Sequence, residues 1–245
     1  MFAVVKVTEK EKGFMSRLRK NRITAERILL PNGEFFFVIT AEMTKDVFPF
    51  EEIIHFSDKM KNCLIFENDA PVSYDRFKPA LLKKKLLFLY AERFIQKAEY
   101  NPSETSLCLC DGEGLHCDEL HRLFPFASRL HVVSPNKAYI DKAHELLMEY
   151  GVSVTVSECF DKRAEKSSII VCHSSDMISV GFKGTVITNE PRIFPFARCV
   201  TDDNILLPSH YESLLPEKID RDIFASALYE KCLCEDILQW CAERI

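Results

Sequence analysis

The residues best suited to chemistry lie in the second half of the sequence. Asp111, Gly112, Glu113 and Gly114 follow directly on the apolar run SLCLC at 106–110. A strand that reverses tightly into a helix needs glycine at the bend, and the free N–H groups at the helix start attract anions. The run is therefore a candidate cradle for a phosphate or a ribose. His173 ends a second apolar run, SIIVCH, and is the candidate general acid–base because an imidazole titrates near neutral pH. Other polar residues also follow apolar runs: Ser134, Asn136 and Lys137 in VVSPNK, Ser174 beside His173, and Asn189 in VITNEP. Taken together, His173 is the catalytic candidate. Asp111, Gly112, Glu113, Gly114, Ser134, Asn136, Lys137, Ser174 and Asn189 are the cofactor-binding candidates.

The elements that must hold these residues are readable from periodicity. From residue 106 the order is strand, turn, helix (DELHRLFPFASR), strand (LHVVS), helix (PNKAYIDKAHELLMEYG) and strand (VSVTVSE). Strands at 168–173 and 185–189 follow, then a short one at 205–207 and helical patterning over 220–245. Alternation of this kind predicts a parallel sheet covered by helices on both faces, with ligands outside the carboxyl ends of its strands. Residues 1–100 read as a separate unit. Strands are expected at 2–7, 23–30 and 34–40, the last two joined by the hairpin turn Pro31-Asn32-Gly33. A helix over 48–60, a short strand at 63–66 and a long helix capped by Asp75 and running to Ala98 complete it.

Residues 107–157 resemble the first half of the Rossmann-like fold shared by NAD(P)-dependent dehydrogenases and class I S-adenosylmethionine methyltransferases. Gly112 and Gly114 match the first two glycines of the dinucleotide fingerprint, and Cys117 stands where the third would be. About 20 residues further on, where both families place a ribose-binding acid, this chain has Ser134. The resemblance implies an α/β class, a Rossmann-like mostly parallel sheet with a smaller N-terminal α+β domain. The domains are expected at 1–100 and at 101–245, the second ending in the C-terminal helices. It also implies a nucleotide-type ligand of the NADP or S-adenosylmethionine class. NADP is favoured over NAD, since Ser134, Asn136 and Lys137 suit a 2′-phosphate. An alternative stays open: a non-catalytic interaction or regulatory protein on a degenerate scaffold, with a side chain or loop filling the crevice above Gly112.

Composition narrows the partners. The 245 residues carry a net charge of −5, which offers no overall basic field to nucleic acid or anionic lipid. No apolar run approaches the roughly 20 residues of a membrane span. The N-terminus lacks the pattern of a signal peptide, so a cytoplasmic protein with a small-molecule ligand is expected, without nucleic-acid or membrane partners. The ten cysteines form no C-x-x-C pair, and Cys108 and Cys110 on one strand face read as small hydrophobes. His116, Cys117 and His121 are poorly spaced for a metal, and no metal site is expected. Lys83, Lys84 and Lys85 read as a solvated helix face. The three Phe-Pro-Phe elements, at 48–50, 124–126 and 194–196, read as core packing at helix edges.

Overall fold

The structure is a computed structural model that describes residues 1–9, 22–43, 50–57, 63–67, 81–173, 178, 181–189, 197–200 and 205–244. Ser174, Asp75, Glu190, most of the first Phe-Pro-Phe element and all of the third lie outside the described residues. The chain forms two compact units, 1–82 with 205–241 and 83–204 with 242–245.

The first unit is built on a four-stranded sheet of β1 (Ala3–Glu9), β2 (Ile23–Leu29), β3 (Phe35–Met43) and β4 (Leu64–Phe66), in the order β2-β3-β1-β4. β2 and β3 are antiparallel, whereas β1 runs parallel to both β3 and β4. The expected hairpin turn is present. Gly33 takes a φ of 84°, its amide donates to the Leu30 carbonyl at 3.0 Å, and the Asn32 side chain accepts from the Glu34 amide. Ile53 of α1 (Phe50–Phe56) packs into the core with Val5, Ile39 and Leu64.

The boundary departs from the 1–100 and 101–245 division, for two packing reasons. The long helix α2 (Leu81–Lys97) places Leu87, Phe88, Ala91 and Ile95 in the core of the second sheet. The C-terminal helices instead belong to the first unit. There Phe224 of α5 (Arg221–Cys232) packs edge-on against both Phe2 and Phe36, rings that themselves stack at 5.0 Å. Asp220 caps α5 by accepting from the Ile223 amide at 3.0 Å.

The second unit holds a fully parallel six-stranded sheet. Its strands are β5 (Ser106–Cys110), β6 (Arg129–Val133), β7 (Val154–Ser157), β8 (Ile169–Cys172), β9 (Thr185–Thr188) and β10 (Arg198–Val200). They lie in the order β10-β9-β8-β5-β6-β7. Counted from β5, that is the 3-2-1-4-5-6 order of the doubly wound nucleotide-binding fold, with the order reversing between β5 and β8. The sixth strand is β10. Residues 205–207, expected as a strand, are not one.

Alternation sorts the side chains onto two faces. Leu107, Leu109, Val132, Ile169 and Val171 face a core shared with α2 and with Leu146 of α3 (Ala138–Tyr150). Cys108, Cys110, Ile170, Cys172 and Val186 face the opposite core, closed by Phe160, Ala164 and Phe182. Among the described residues, no long helix packs on that second face, in contrast to the expected helical cover on both sides. The stretch after β5, expected as an α-helix, is a 3₁₀ helix at Leu120–Phe126 with Pro125 inside it. Proline has no N–H and its ring crowds the preceding turn, which disfavours a regular α-helix there. All ten cysteines are free thiols.

Candidate functional site

The turn after β5 is organised by Asp111, which is buried at 1 % exposure. Its backbone amide extends the sheet by donating to Val133. Its carboxylate is fully engaged by the turn that follows. Oδ1 accepts from the amides of Glu113 and Gly114 at 3.1 and 3.0 Å. Oδ2 accepts from the His116 amide at 2.9 Å and the Tyr139 hydroxyl at 2.6 Å. Burial alone would raise the Asp111 pKa. The hydrogen bonds from Tyr139 and the His116 amide outweigh it and hold the carboxyl below its ordinary value. Burial, together with the Asp111 charge, pushes the Tyr139 hydroxyl well above the usual phenol range.

The amides that could meet a phosphate thus already bind an internal anion. Gly114 adopts a φ of 80°, and a Cβ built there would lie 2.2 Å from Asn136 Nδ2. Asn136 donates from that nitrogen to the Glu113 carbonyl at 3.1 Å, so its side chain lies over the turn. Glu113 is salt-bridged to Lys84 of α2.

The residues expected to read a ribose or 2′-phosphate have local structural partners. Ser134 is buried, and its hydroxyl accepts from the Asn136 amide at 3.1 Å. The Asn136 carbonyl oxygen Oδ1 accepts from the Ala138 amide at the start of α3. Lys137 is exposed at the entry to that helix. Asn189 donates to the Lys83 carbonyl at 3.3 Å. The structure therefore brings Asp111, Gly114, Glu113, Ser134 and Asn136 together around one turn. It leaves Lys137 at the surface and ties Asn189 to the start of α2.

His173 follows β8 across the reversal point from Asp111. Its Nε2 lies 2.9 Å from Nε2 of His116, whose Nδ1 lies 3.0 Å from Glu119 Oε2. Lys85 donates to Glu119 Oε1 at 3.0 Å and to the Leu115 carbonyl at 2.9 Å. The His116 ring is wholly buried and stacks on Phe88 at 4.4 Å. The hydrogen bond with His116, aided by Lys85 and opposed by burial, draws the Glu119 pKa down to about 2, so it is a carboxylate at neutral pH. In the uncharged arrangement His116 then donates from Nδ1 and accepts at Nε2 from His173. That leaves Nδ1 of His173 as a lone-pair nitrogen, buried and without a hydrogen-bond partner among the described residues. Burial first, and His116 second, push the His173 pKa well below the imidazole range.

Tyr139 and Glu119 escaped the sequence reading. Tyr139 sits one position into a helix, and nothing local marks its reach back to Asp111. His116 and His121 were weighed only as metal ligands. His121 instead engages the Asp118 carbonyl at 2.9 Å, and among the described residues no three metal-binding side chains converge. Two of the three lysines at 83–85 form ion pairs with the turn, which the expectation of a solvated face did not anticipate.

No protein-family model matches the chain, and no curated protein sequence matches it. Among solved structures, L-tryptophan dehydrogenase from Nostoc punctiforme aligns at 12 % identity over 99 % of this chain and 87 % of its own, with a TM-score of 0.34. Shikimate dehydrogenase from Aquifex aeolicus aligns at 13 % identity over 84 % and 85 %, with a TM-score of 0.33. The 5-ketofructose reductase of Gluconobacter aligns at 10 % identity over 84 % and 87 %, with a TM-score of 0.34. At that level the likeness adds nothing to what the strand order already establishes. The parallel register and the reversal between β5 and β8 make residues 106–200 a Rossmann-like domain.

Proposed function

We propose that the chain is an interaction or regulatory protein on a Rossmann-like scaffold, and that it does not take NADP or S-adenosylmethionine at its glycine turn. One observation carries this reading: the Asp111 carboxylate already accepts from the amides of Glu113, Gly114 and His116. A pyrophosphate placed there would have to displace an internal carboxylate and then sit beside it, anion against a buried anion. Asn136 over Gly114 adds a steric obstacle. The absence of a carboxylate at Ser134 counts against S-adenosylmethionine, and Ser134 and Asn136, which would meet a 2′-phosphate, are bonded to each other and to the Glu113 carbonyl. Amide chemical-shift mapping with NADP, NAD and S-adenosylmethionine tests it. The amides of Glu113, Gly114 and His116 should stay still with all three. Saturable movement of those three amides would overturn the reading.

A second reading rests on the unpartnered Nδ1 of His173. A buried polar atom without a partner is uncommon and clusters at functional sites. On this reading Nδ1 of His173 accepts a hydrogen bond from a small molecule bound at the β5–β8 reversal, with His116 and Glu119 orienting the ring. A His173 ring-proton resonance that responds to a metabolite mixture, and no longer does so in Glu119→Gln, would favour it over the first.

A further inference from the structure

The outward side of α2 differs from the side that meets the turn. Lys84 and Lys85 are paired with Glu113 and Glu119. About two and three turns further on, Arg93 and Lys97 share a face at i, i+4 spacing. Two cavities meet along that face. One, of about 390 Å³, is lined by Tyr90, Arg93, Phe94, Lys97, Ala98 and Arg198. The other, of about 570 Å³, lies towards Leu89, Glu92, Gln96 and Arg122 and shares Arg93 and Lys97 with the first. Glu92, the acid among these residues, forms a salt bridge with Arg122. Arg93 and Arg198 meet no carboxylate among the described residues. Arg198 instead lies 5.9 Å from the Phe94 ring centroid. Tyr90 and Phe94 are themselves near-parallel, with centroids 6.4 Å apart at 26°.

In a chain of net charge −5, two arginines on one concave face, Arg93 and Arg198, with no carboxylate partner among the described residues are a recognition feature. Guanidinium groups bind phosphate through paired N–H donors, and aromatic faces accept a flat ring. We propose that this groove binds a phosphate ester of mononucleotide size that carries a planar ring. Arg93 and Arg198 would hold the phosphate, and Tyr90 and Phe94 would floor the ring. The volume of the smaller cavity lies within the usual range for small-ligand sites, about 300–1,000 Å³. The proposal goes beyond the reading of the glycine turn and does not depend on it, because no groove residue belongs to that turn.

The test is amide shift mapping with adenosine monophosphate, run beside inorganic phosphate, adenosine and a hexaglutamate peptide. Adenosine monophosphate should move the amides of residues 93–98 and Arg198 saturably, and more tightly than phosphate or adenosine alone. Arg93→Ala with Arg198→Ala should weaken it about tenfold or more, as loss of charge-assisted hydrogen bonds does, with the melting temperature held. Arg198→Glu alone is the second variant, expected to weaken binding while leaving the fold intact. Absence of saturable movement in the groove, or binding unchanged in both variants, would overturn the proposal. Binding of hexaglutamate without adenosine monophosphate would also overturn it, in favour of an acidic polypeptide. Movement confined to Glu113, Gly114 and His116 would refute the groove and, separately, the closed-turn reading.

Discussion

Replacing Asp111 exposes how the turn is held. In Asp111→Ala the amides of Glu113 and Gly114 can return to water, because the turn is part-exposed. The His116 amide and the Tyr139 hydroxyl are buried and lose an ionised acceptor. Each such loss costs about 1.5–3 kcal/mol, so the variant should be destabilised by about 4 kcal/mol. Asp111→Asn keeps an acceptor at Oδ1, and Tyr139 can rotate to meet the new amide. The His116 N–H then faces a donor, and the cost should be about 2 kcal/mol. For a chain of this length, those values correspond to melting-temperature drops of about 10 °C and about 5 °C. The pH dependence gives a second check. The folded pKa of Asp111 lies below its unfolded value of about 3.9, so its contribution is full above that pH and lost as pH falls through the folded value. Urea melts of wild type and Asp111→Asn should therefore differ at pH 7 and converge in acid. A loss below about 1 kcal/mol in Asp111→Ala, or a gap that persists in acid, would refute the claim that this carboxylate organises the turn.

Three further outcomes are expected. The folded pKa of His173, lowered to about 3 mainly by burial, lies below its unfolded value of about 6.5. Its contribution is therefore present above pH ~6.5 and falls by up to about 1.4 kcal/mol per unit as the pH drops towards the folded value, a slope that urea melts of His173→Gln should lack. Gly114→Ala should cost about 1–2 kcal/mol for its positive φ, plus the collision with Asn136. Adding Asn136→Ala should recover only the collision, which a double-mutant cycle on melting temperature would read as positive coupling. In the first unit, Phe224→Ala should cost about 3–5 kcal/mol, because it removes a buried ring that contacts both Phe2 and Phe36. Native-state hydrogen exchange should show the loss in β1 and β3 before β5 and β8.

The parallel sheet was legible because its central strands are continuous apolar runs with polar ends, a pattern that needs no tertiary information. The hairpin at Asn32-Gly33 was legible for a similar reason, since the turn's chemistry is written in adjacent residues. What escaped was set by distance along the chain. The assignment of α2 to the second sheet depends on Phe88 and Ile95 finding Leu107 and Val171. The docking of α5 on the first depends on Phe224 finding Phe2, more than two hundred residues away in sequence. The 3₁₀ geometry at Leu120–Phe126 was a local signal under-read, because Pro125 stands in the sequence. At the candidate site, the apolar runs placed the turn and His173 at the ends of β5 and β8, where the structure has them. The use of Asp111 as an internal anion, and the chain from Glu119 through His116 to His173, depend on contacts that composition and periodicity do not encode.

The free thiols supply a gauge of motion. Cys108, Cys110 and Cys172 are buried in the parallel sheet, and Cys232, Cys234 and Cys241 are buried in the first unit. Burial raises the pKa of Cys232 to about 11 and also that of Cys234; at Cys110 the hydrogen bond with Cys108 is the leading cause of a rise, and burial adds to it. Such sulfurs react with an alkylating reagent only when their surroundings open. Exposed Cys159 would label at once and serve as the internal clock. The order in which the two buried sets follow would report, in a single labelling time course on the unmodified chain, which unit breathes first.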